Sequence, residues 1–170
     1  MGEEFWQYRP MAHGDEVRMI DWRRSARSDQ HFVRELEWQT AQSVVVWVDG
    51  SRSMAFTGDD SRATKGDRAR LLALALSVLL VRGGERVGLS NLGQPPRSGP
   101  LQLVRLAEAL GGDLSEADYG VPETPGLPYH ARALFLSDFM GDIAGVEAAL
   151  AKAADRGVRG ALCQILDPVE

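Results

Sequence analysis

An unbroken apolar run at residues 44–48, which ends directly in Asp49, constrains the fold of this sequence more than any other feature. Every side chain in the run is apolar, so a strand formed here would be buried on both of its faces. Strands covered on both faces are typical of parallel sheets, whose crossover helices lie on either side. The run therefore predicts a central strand of a parallel sheet.

Segments with strand-like and helix-like patterns alternate from this run to the end of the sequence. Further strands are expected at residues 86–89, 133–136 and 161–166, and helices at residues 66–81, 101–110 and 143–154. Since apolar residues surround the helix at 66–81 on almost every side, we expect that helix to be buried. The alternation predicts an α/β fold with a mainly parallel central sheet flanked by helices.

The first 42 residues differ from this repeating pattern, although residues 31–38 have the composition of a strand. They contain several large apolar side chains, which are Phe5, Trp6, Ile20, Trp22, Phe32 and Trp38. A solvated arm rarely carries so many apolar groups, so we expect residues 1–42 to form an N-terminal extension packed on a main domain of residues 43–170. Because the sequence begins and stops abruptly, we also expect it to be a fragment of a longer protein.

The extension carries a motif rich in Arg, Asp and Trp, whose members are Asp15, Arg18, Asp21, Trp22 and Arg27. Arg and Trp are common at interface hot spots, so one hypothesis is a partner-binding surface. The alternative is structural, with the arginines paired to nearby carboxylates and Trp22 filling the core. We favour the structural role at least for Asp21 and Trp22.

Charge and composition exclude several classes of function. The net charge of −5, from 19 basic and 24 acidic residues, argues against nonspecific nucleic-acid binding, which requires Lys and Arg to neutralise phosphates. The single cysteine, Cys163, allows no internal disulfide and fits a reducing compartment. The longest apolar run, residues 71–81, is shorter than the roughly 20 residues that a membrane-spanning helix needs. We therefore expect a cytoplasmic chain with no nucleic-acid partner and no membrane segment.

Two predicted strands end in an aspartate, Asp49 and Asp138, and the first is followed at alternate positions by Ser51 and Ser53. The carboxyl ends of parallel strands meet at one edge of the sheet, where ligands bind in open α/β folds. Carboxylate and hydroxyl oxygens suit a hard cation such as Mg²⁺ or Mn²⁺. We expect a weak metal site here, which a carboxylate from a partner protein would complete. The alternative is ordinary turn chemistry, in which these side chains cap backbone groups.

An enzymatic hypothesis also starts from Asp49, because an aspartate that closes an apolar strand can act as a phosphate-accepting nucleophile. Lys65 and the pair Asp138 and Asp142 could support such a reaction. Ser51, however, occupies the position at which these enzymes commonly place a general-acid carboxylate, and a hydroxyl cannot serve that role. A third hypothesis is a structural domain whose metal loop is vestigial.

Two motifs resemble those of the bacterial domain-of-unknown-function 58 family: EFWQYRPMAHGDEVRMIDWRRSAR near the start, and VVVWVDGSRSM after it. Members typically show an Arg-Tyr element, then Gly-Asp, Arg-x-Ile-Asp-Trp and Ala-Arg, and finally Asp-x-Ser-x-Ser-Met. The matching residues here are Phe5, Tyr8, Arg9, Gly14, Asp15, Arg18, Ile20, Asp21, Trp22, Ala26, Arg27, Asp49, Ser51, Ser53 and Met54. The resemblance spans most of the chain, with residues 55–130 matching only in outline.

That family is similar to von Willebrand factor A domains, which implies a Rossmann-like fold with a metal-ion-dependent adhesion site at the carboxyl edge of the sheet. The site combines Asp-x-Ser-x-Ser with a Thr and an Asp from later loops. Asp49, Ser51 and Ser53 match the first part. Asp138 matches the later Asp, and Ser98 is the nearest candidate for the Thr.

The resemblance also carries expectations about function. It implies a noncatalytic protein–protein interaction module that uses Mg²⁺. Members are often encoded beside MoxR-type AAA+ ATPases, so a partner of that class is implied for this chain. Many members have membrane helices outside the domain, which implies that the parent protein could be membrane-associated.

Overall fold

The computed structural model of this chain describes residues 3–38, 41–112 and 115–170, without the side chains of residues 3–6 and 34–38. The apolar side chains expected at Phe5, Trp6 and Trp38 thus lie outside the described residues. The chain divides into two compact units, Met1–Thr40 and Ala41–Glu170. The expected packing of residues 1–42 on the main domain stays a prediction.

The smaller unit is built on an antiparallel pair of strands. Arg9 and Pro10 of the first strand lie opposite Val33 and Phe32 of the second. A one-turn helix lies between the strands in sequence. The elements are β1 (Glu3–Pro10), α1 (Trp22–Ser25) and β2 (Phe32–Trp38).

The larger unit is an α/β fold with a four-stranded parallel sheet, as the sequence predicts. Across the sheet the strands follow the order Arg86–Leu89, Ser43–Val48, Arg132–Ser137 and Arg159–Gln164. This fold is consistent with a Rossmann-like arrangement, and no predicted boundary differs from the observed one by more than two residues. The elements are β3 (Ser43–Val48), α2 (Lys65–Arg82), β4 (Arg86–Leu89), α3 (Pro100–Leu110), β5 (Arg132–Ser137), α4 (Ile143–Asp155) and β6 (Arg159–Gln164).

The central strand β3 is buried on both faces because its alternate side chains enter two different apolar clusters. Val46 packs in a cluster with Leu106 of α3 and with residues of α2. Val45 and Trp47 point to the opposite face, in a cluster with Phe135 of β5 and a residue of α4. Helices therefore cover both faces of the sheet, which explains the unbroken apolar run.

Helix α2 begins at a capping box, in which the Thr64 side chain accepts from the Asp67 amide and the Asp67 side chain accepts from the Thr64 amide. The expectation that this helix is buried all round is wrong. Leu71 and Leu79 are 68% and 64% exposed, whereas small residues such as Ala73 form the buried face. A helix on the outside of a sheet presents only one side to it. Neither α2 nor any other helix within the described ranges is long and apolar enough to cross a membrane.

Asp21 and Trp22 have different environments in the smaller unit. Asp21 is half-buried and caps α1, since its carboxylate accepts from the Arg24 amide (3.0 Å) and from the Tyr8 hydroxyl (3.3 Å). The expectation that Trp22 fills the core is wrong, because its side chain is 58% exposed and meets the His31 ring edge-on. Trp22 lies on the outward side of α1, whose buried residue is Ser25.

The charged pairs of this motif also differ from the expected ones. Asp15 pairs with Arg9 through two hydrogen bonds of 2.6 and 2.7 Å, and not with the motif arginines. These bonds, together with one from the Ala12 amide, lower the pKa of Asp15 to about 2. Arg18 pairs with Glu16. The remaining motif residue, Arg27, lines an open groove with Tyr8, Asp21, Arg23, Arg24, Ser28 and Phe32.

We predict that Asp21→Ala lowers the free energy of unfolding by about 1 kcal/mol, because the α1 amide then loses its capping acceptor. Asp21→Asn is the matched control, since Asn caps helices about as well as Asp. Chemical denaturation of both variants measures the difference. Equal losses in the two variants would show that the charge of Asp21 matters more than the cap.

Candidate functional site

Asp49 and Asp138 leave the sheet at the same edge because β3 and β5 are parallel neighbours. Val48, the last residue of β3, pairs with Leu136 of β5. The Asp49 amide then donates to the Leu136 carbonyl at 2.9 Å, which extends the ladder one residue further. Both aspartates are almost fully buried, with exposures of 2% and 1%. The predicted meeting of the two carboxylates at one edge therefore has a direct cause in strand register.

The Asp49 carboxylate is hydrogen-bonded on both oxygens but has no ion-pair partner among the described residues. Oδ1 accepts from the Ser51 amide (2.8 Å) and Oδ2 from the Ser137 hydroxyl (2.6 Å). Arg70 lines a small cavity of about 60 Å³ beside Asp49, but its guanidinium pairs with Asp67 at 3.5 Å. A buried carboxylate without a counter-charge is energetically unfavourable, so this arrangement favours a cation nearby.

Ser51 and Ser53 connect the two aspartates. Ser51 is 1% exposed and precedes a short 3-10 turn, Arg52–Ala55, which brings its hydroxyl to 3.1 Å from that of Ser53. Ser53 also lies near enough to Asp138 to help lower the pKa of that carboxyl. The structure thus places four of the five predicted metal-site residues in one continuous polar cluster.

Ser98 is not part of this cluster, and its assignment as a ligand is corrected. Its neighbour Arg97 exchanges two backbone hydrogen bonds with Val87, which is the second residue of β4 and pairs with Val44 at the start of β3. Ser98 is exposed and follows this bridge at the amino edge of the sheet. It therefore lies at the opposite end of the strands from Asp49.

A buried ammonium group lies at the same edge, although the sequence did not indicate that it belongs to the metal site. Lys65, the first residue of α2, is 3% exposed, and its Nζ donates to Asp138 Oδ2 (2.9 Å) and to Glu170 Oε1 (2.5 Å). The Phe56 ring centre lies 5.4 Å from Nζ. A sequence signal existed, because a cation at the first residue of a helix is at the unfavourable end of the helix dipole. Such a lysine needs an acidic partner from elsewhere in the chain.

The pKa values of this ion pair are set by two opposing effects. Burial acts to raise the pKa of Asp138, but hydrogen bonds from Lys65, the Met140 amide and Ser53 outweigh it, so the pKa of Asp138 lies below its ordinary value. Burial likewise acts to lower the pKa of Lys65, but the carboxylates of Glu170 and Asp138 outweigh it and raise that pKa. The carboxylate of Asp138 and the ammonium of Lys65 therefore remain charged around neutral pH.

The segment at residues 115–120 encloses the serine loop. The Ser115 amide donates to the Gly50 carbonyl, and the Arg52 and Ser53 amides donate to carbonyls of residues 117 and 118, all between 2.7 and 3.0 Å. Gly120 lies directly against Asp49, since a Cβ at that position would be 2.2 Å from Oδ1. A glycine has no Cβ, which permits this close approach of the backbone to the carboxylate.

The donors fit a hard cation that keeps part of its water shell. Within the described ranges there is no group of three or more His, Cys, Asp or Glu side chains that could hold a metal, so a cation here would depend on the two serine hydroxyls. Ser51 and Ser53 would bind it directly, and Asp49 would supply uncompensated negative charge. Mg²⁺ characteristically uses few carboxylates and retains several waters.

We predict that Asp138→Asn destabilises the protein at neutral pH by an amount near the lower end of about 3–5 kcal/mol. Removing one partner of a buried ion pair has this effect, and Lys65 would retain Glu170. An unfolded Asp titrates near pH 4 and Asp138 below that, so the contribution is complete above about pH 5 and is lost as the pH falls through the folded pKa. Denaturation of both proteins between pH 3 and 7 measures the difference, with the exposed helix cap variant Asp142→Asn as control. A difference that is independent of pH would contradict this assignment.

We predict that Gly120→Ala destabilises the protein by about 1–3 kcal/mol, because the added methyl group would overlap the Asp49 carboxylate. Gly50→Ala is the control, since a Cβ there would meet no atom closer than 3.9 Å. Thermal denaturation compares the two variants. If Gly120→Ala were no less stable than Gly50→Ala, residues 115–120 would not pack closely on Asp49.

Comparison with known proteins gives a family and no described function. No curated protein matches the chain. The family model described as "Protein of unknown function DUF58" matches residues 7–170, which includes almost the whole chain. The chain therefore belongs to the DUF58 family.

Proposed function

We propose that this chain is a noncatalytic interaction domain that binds an acidic side chain of a partner protein through a divalent cation. In this proposal the polar cluster is a metal-ion-dependent adhesion site of the von Willebrand factor A type, held by Asp49, Ser51, Ser53 and Asp138. The main support is Asp49, a carboxylate that is 2% exposed and has no cationic side chain paired with it in the described structure.

The charge balance of the edge also supports a divalent cation. Lys65 contacts two carboxylates, Asp138 and Glu170, and Asp49 lies in the same cluster beside the two contacting serines. One ammonium and three carboxylates leave two negative charges uncompensated. Mg²⁺ or Mn²⁺ would supply that charge and leave a water position that a partner carboxylate could take. Binding of the metal and of the partner would then strengthen each other.

A groove beside the cluster offers a surface for such a partner. It has a volume of about 530 Å³ and includes Arg52, Ser53, Phe56 and Tyr119. Phe56 and Tyr119 are 42% and 50% exposed, and large aromatic side chains of this kind are common anchors in protein interfaces. Ser53 belongs both to this groove and to the buried cluster, so it connects the surface to the proposed metal position.

The alternative of a phosphotransfer enzyme is less well supported. A nucleophilic Asp49 would need an unobstructed approach to one carboxylate oxygen, but both oxygens accept hydrogen bonds and Gly120 packs against them. Ser51 cannot supply the proton that a general acid would. The third hypothesis, a structural domain with a vestigial metal loop, predicts that no metal ion binds at this cluster.

We further propose that the partner is a MoxR-type AAA+ ATPase in the cytoplasm. Support for this partner comes from the resemblance of the sequence to proteins encoded beside such ATPases. The exposed aromatic groove at the carboxyl edge of the sheet is the surface on which we expect the contact. The net charge of −5 argues against a nucleic acid as the partner.

We predict that Mn²⁺ binds the isolated chain weakly and broadens the amide NMR signals of residues 49–53 and 138. Asp49→Asn should abolish this broadening, because it removes the uncompensated negative charge while retaining a similar side-chain shape. Asp142→Asn, which changes an exposed aspartate near the same edge, should leave the broadening unchanged. Absence of local broadening in the wild type would favour the vestigial loop, and equal broadening in Asp49→Asn would place the metal elsewhere.

A further inference from the structure

We propose that Lys65 forms a second, metal-independent carboxylate-binding position at this edge, which Glu170 occupies in place of an acidic group from a partner protein. The inference rests on the proposed function in one respect, which is that the partner of this edge is acidic. It differs in its chemistry, because the group that receives the carboxylate is an ammonium of the chain itself.

The two carboxylates on Lys65 are held in different ways. Asp138 is fixed by the sheet: it directly follows β5, is 1% exposed, and also accepts from the Met140 amide at 3.1 Å. Glu170 has a side chain that is 17% exposed and belongs to the segment after β6. Asp138 is therefore the permanent partner of Lys65, and Glu170 is the exchangeable one.

The segment that carries Glu170 is held by its own turn and by close packing of Val169 on Gly58. The Asp167 amide donates to Glu170 Oε2 (3.0 Å), and the Val169 amide donates to Asp167 Oδ1 (3.1 Å). Asp167 also pairs with Arg62 at 3.1 Å, so this turn has an attachment that does not involve Lys65. Withdrawal of Glu170 from Lys65 would leave that attachment in place.

The position of Lys65 favours carboxylate partners. The ammonium is buried and lies at the first residue of an 18-residue helix, where the helix dipole disfavours positive charge. Asp138 supplies one carboxylate from the sheet, and the second comes from whichever acidic group reaches Nζ. The Phe56 ring centre lies 5.4 Å from Nζ, and Phe56 also lines the surface groove with Arg52 and Ser53, so the groove reaches the residue beside Lys65.

The test uses the fact that the sequence contains two lysines, Lys65 and the exposed Lys152 of α4. Lysine labelled with ¹³C at Cε gives one NMR signal for each, and Lys152 serves as an internal control. The whole chain is titrated with sodium acetate against sodium chloride at equal ionic strength, with EDTA present throughout. Wild type is compared with Glu170→Ala, which removes the occupant, and with Glu170→Gln, which keeps its shape and removes its charge.

We expect acetate to shift the Lys65 signal saturably in Glu170→Ala, with an apparent affinity about tenfold higher than in wild type, because a tethered competitor has an effective concentration in the millimolar range. Glu170→Gln should lie between the two, and the Lys152 signal should respond equally in all three proteins. A Lys65 response that is the same in wild type and both variants, or no larger than that of Lys152, would overturn the proposal.

The same titration with two short peptides distinguishes the sources of the carboxylate. One peptide carries an internal Glu with blocked ends, and the other ends in a free carboxylate; a Gln peptide with blocked ends is the control. Because EDTA removes divalent ions, a positive acetate response together with no Mn²⁺ binding would reject only the metal site. Mn²⁺ binding without an acetate response would reject only the Lys65 position.

Discussion

Parallel pairing of β3 with β5 is the constraint on which the rest of the site depends. The register that sets Val48 beside Leu136 brings the next residues of both strands, Asp49 and Asp138, to one edge of the sheet. The apolar clusters on the two faces hold that register, since a shift of one residue would exchange Val46 and the larger Trp47 between two differently shaped clusters. The polar edge is thus positioned first by the apolar core, and its own hydrogen bonds then hold the side chains.

Two buried aspartates at one edge create an excess of negative charge that the protein balances in part. Lys65 neutralises Asp138, and backbone and hydroxyl donors stabilise Asp49 without cancelling its charge. The edge is therefore suited to attract a positive ion, and once that ion is bound, to attract an acidic group from outside. The proposed metal ion, which can exchange, and the ammonium of Lys65, which is part of the chain, would give a partner two points of recognition on a single surface.

The sequence predicted the parts of the structure that depend on local pattern. The strand run at 44–48 and the helices followed from apolar periodicity, and the meeting of Asp49 with Ser51 and Ser53 followed from their spacing in one loop. Long-range contacts were not predictable in this way. The pairing of Lys65 with Glu170 joins residues 105 positions apart. The expectation that Ser98 is a ligand was wrong. Ser98 precedes a helix, but the sequence does not reveal at which edge of the sheet that helix begins.

A cation in the cluster at the end of β3 is the central requirement of the proposed function. Crystals of the whole chain soaked in Mn²⁺, measured at the manganese absorption edge, would locate the ion by its anomalous signal. We predict a peak within bonding distance of the Ser51 and Ser53 hydroxyls, with Lys65 still paired to Glu170. A peak only at surface carboxylates, with the cluster occupied by water, would contradict the account.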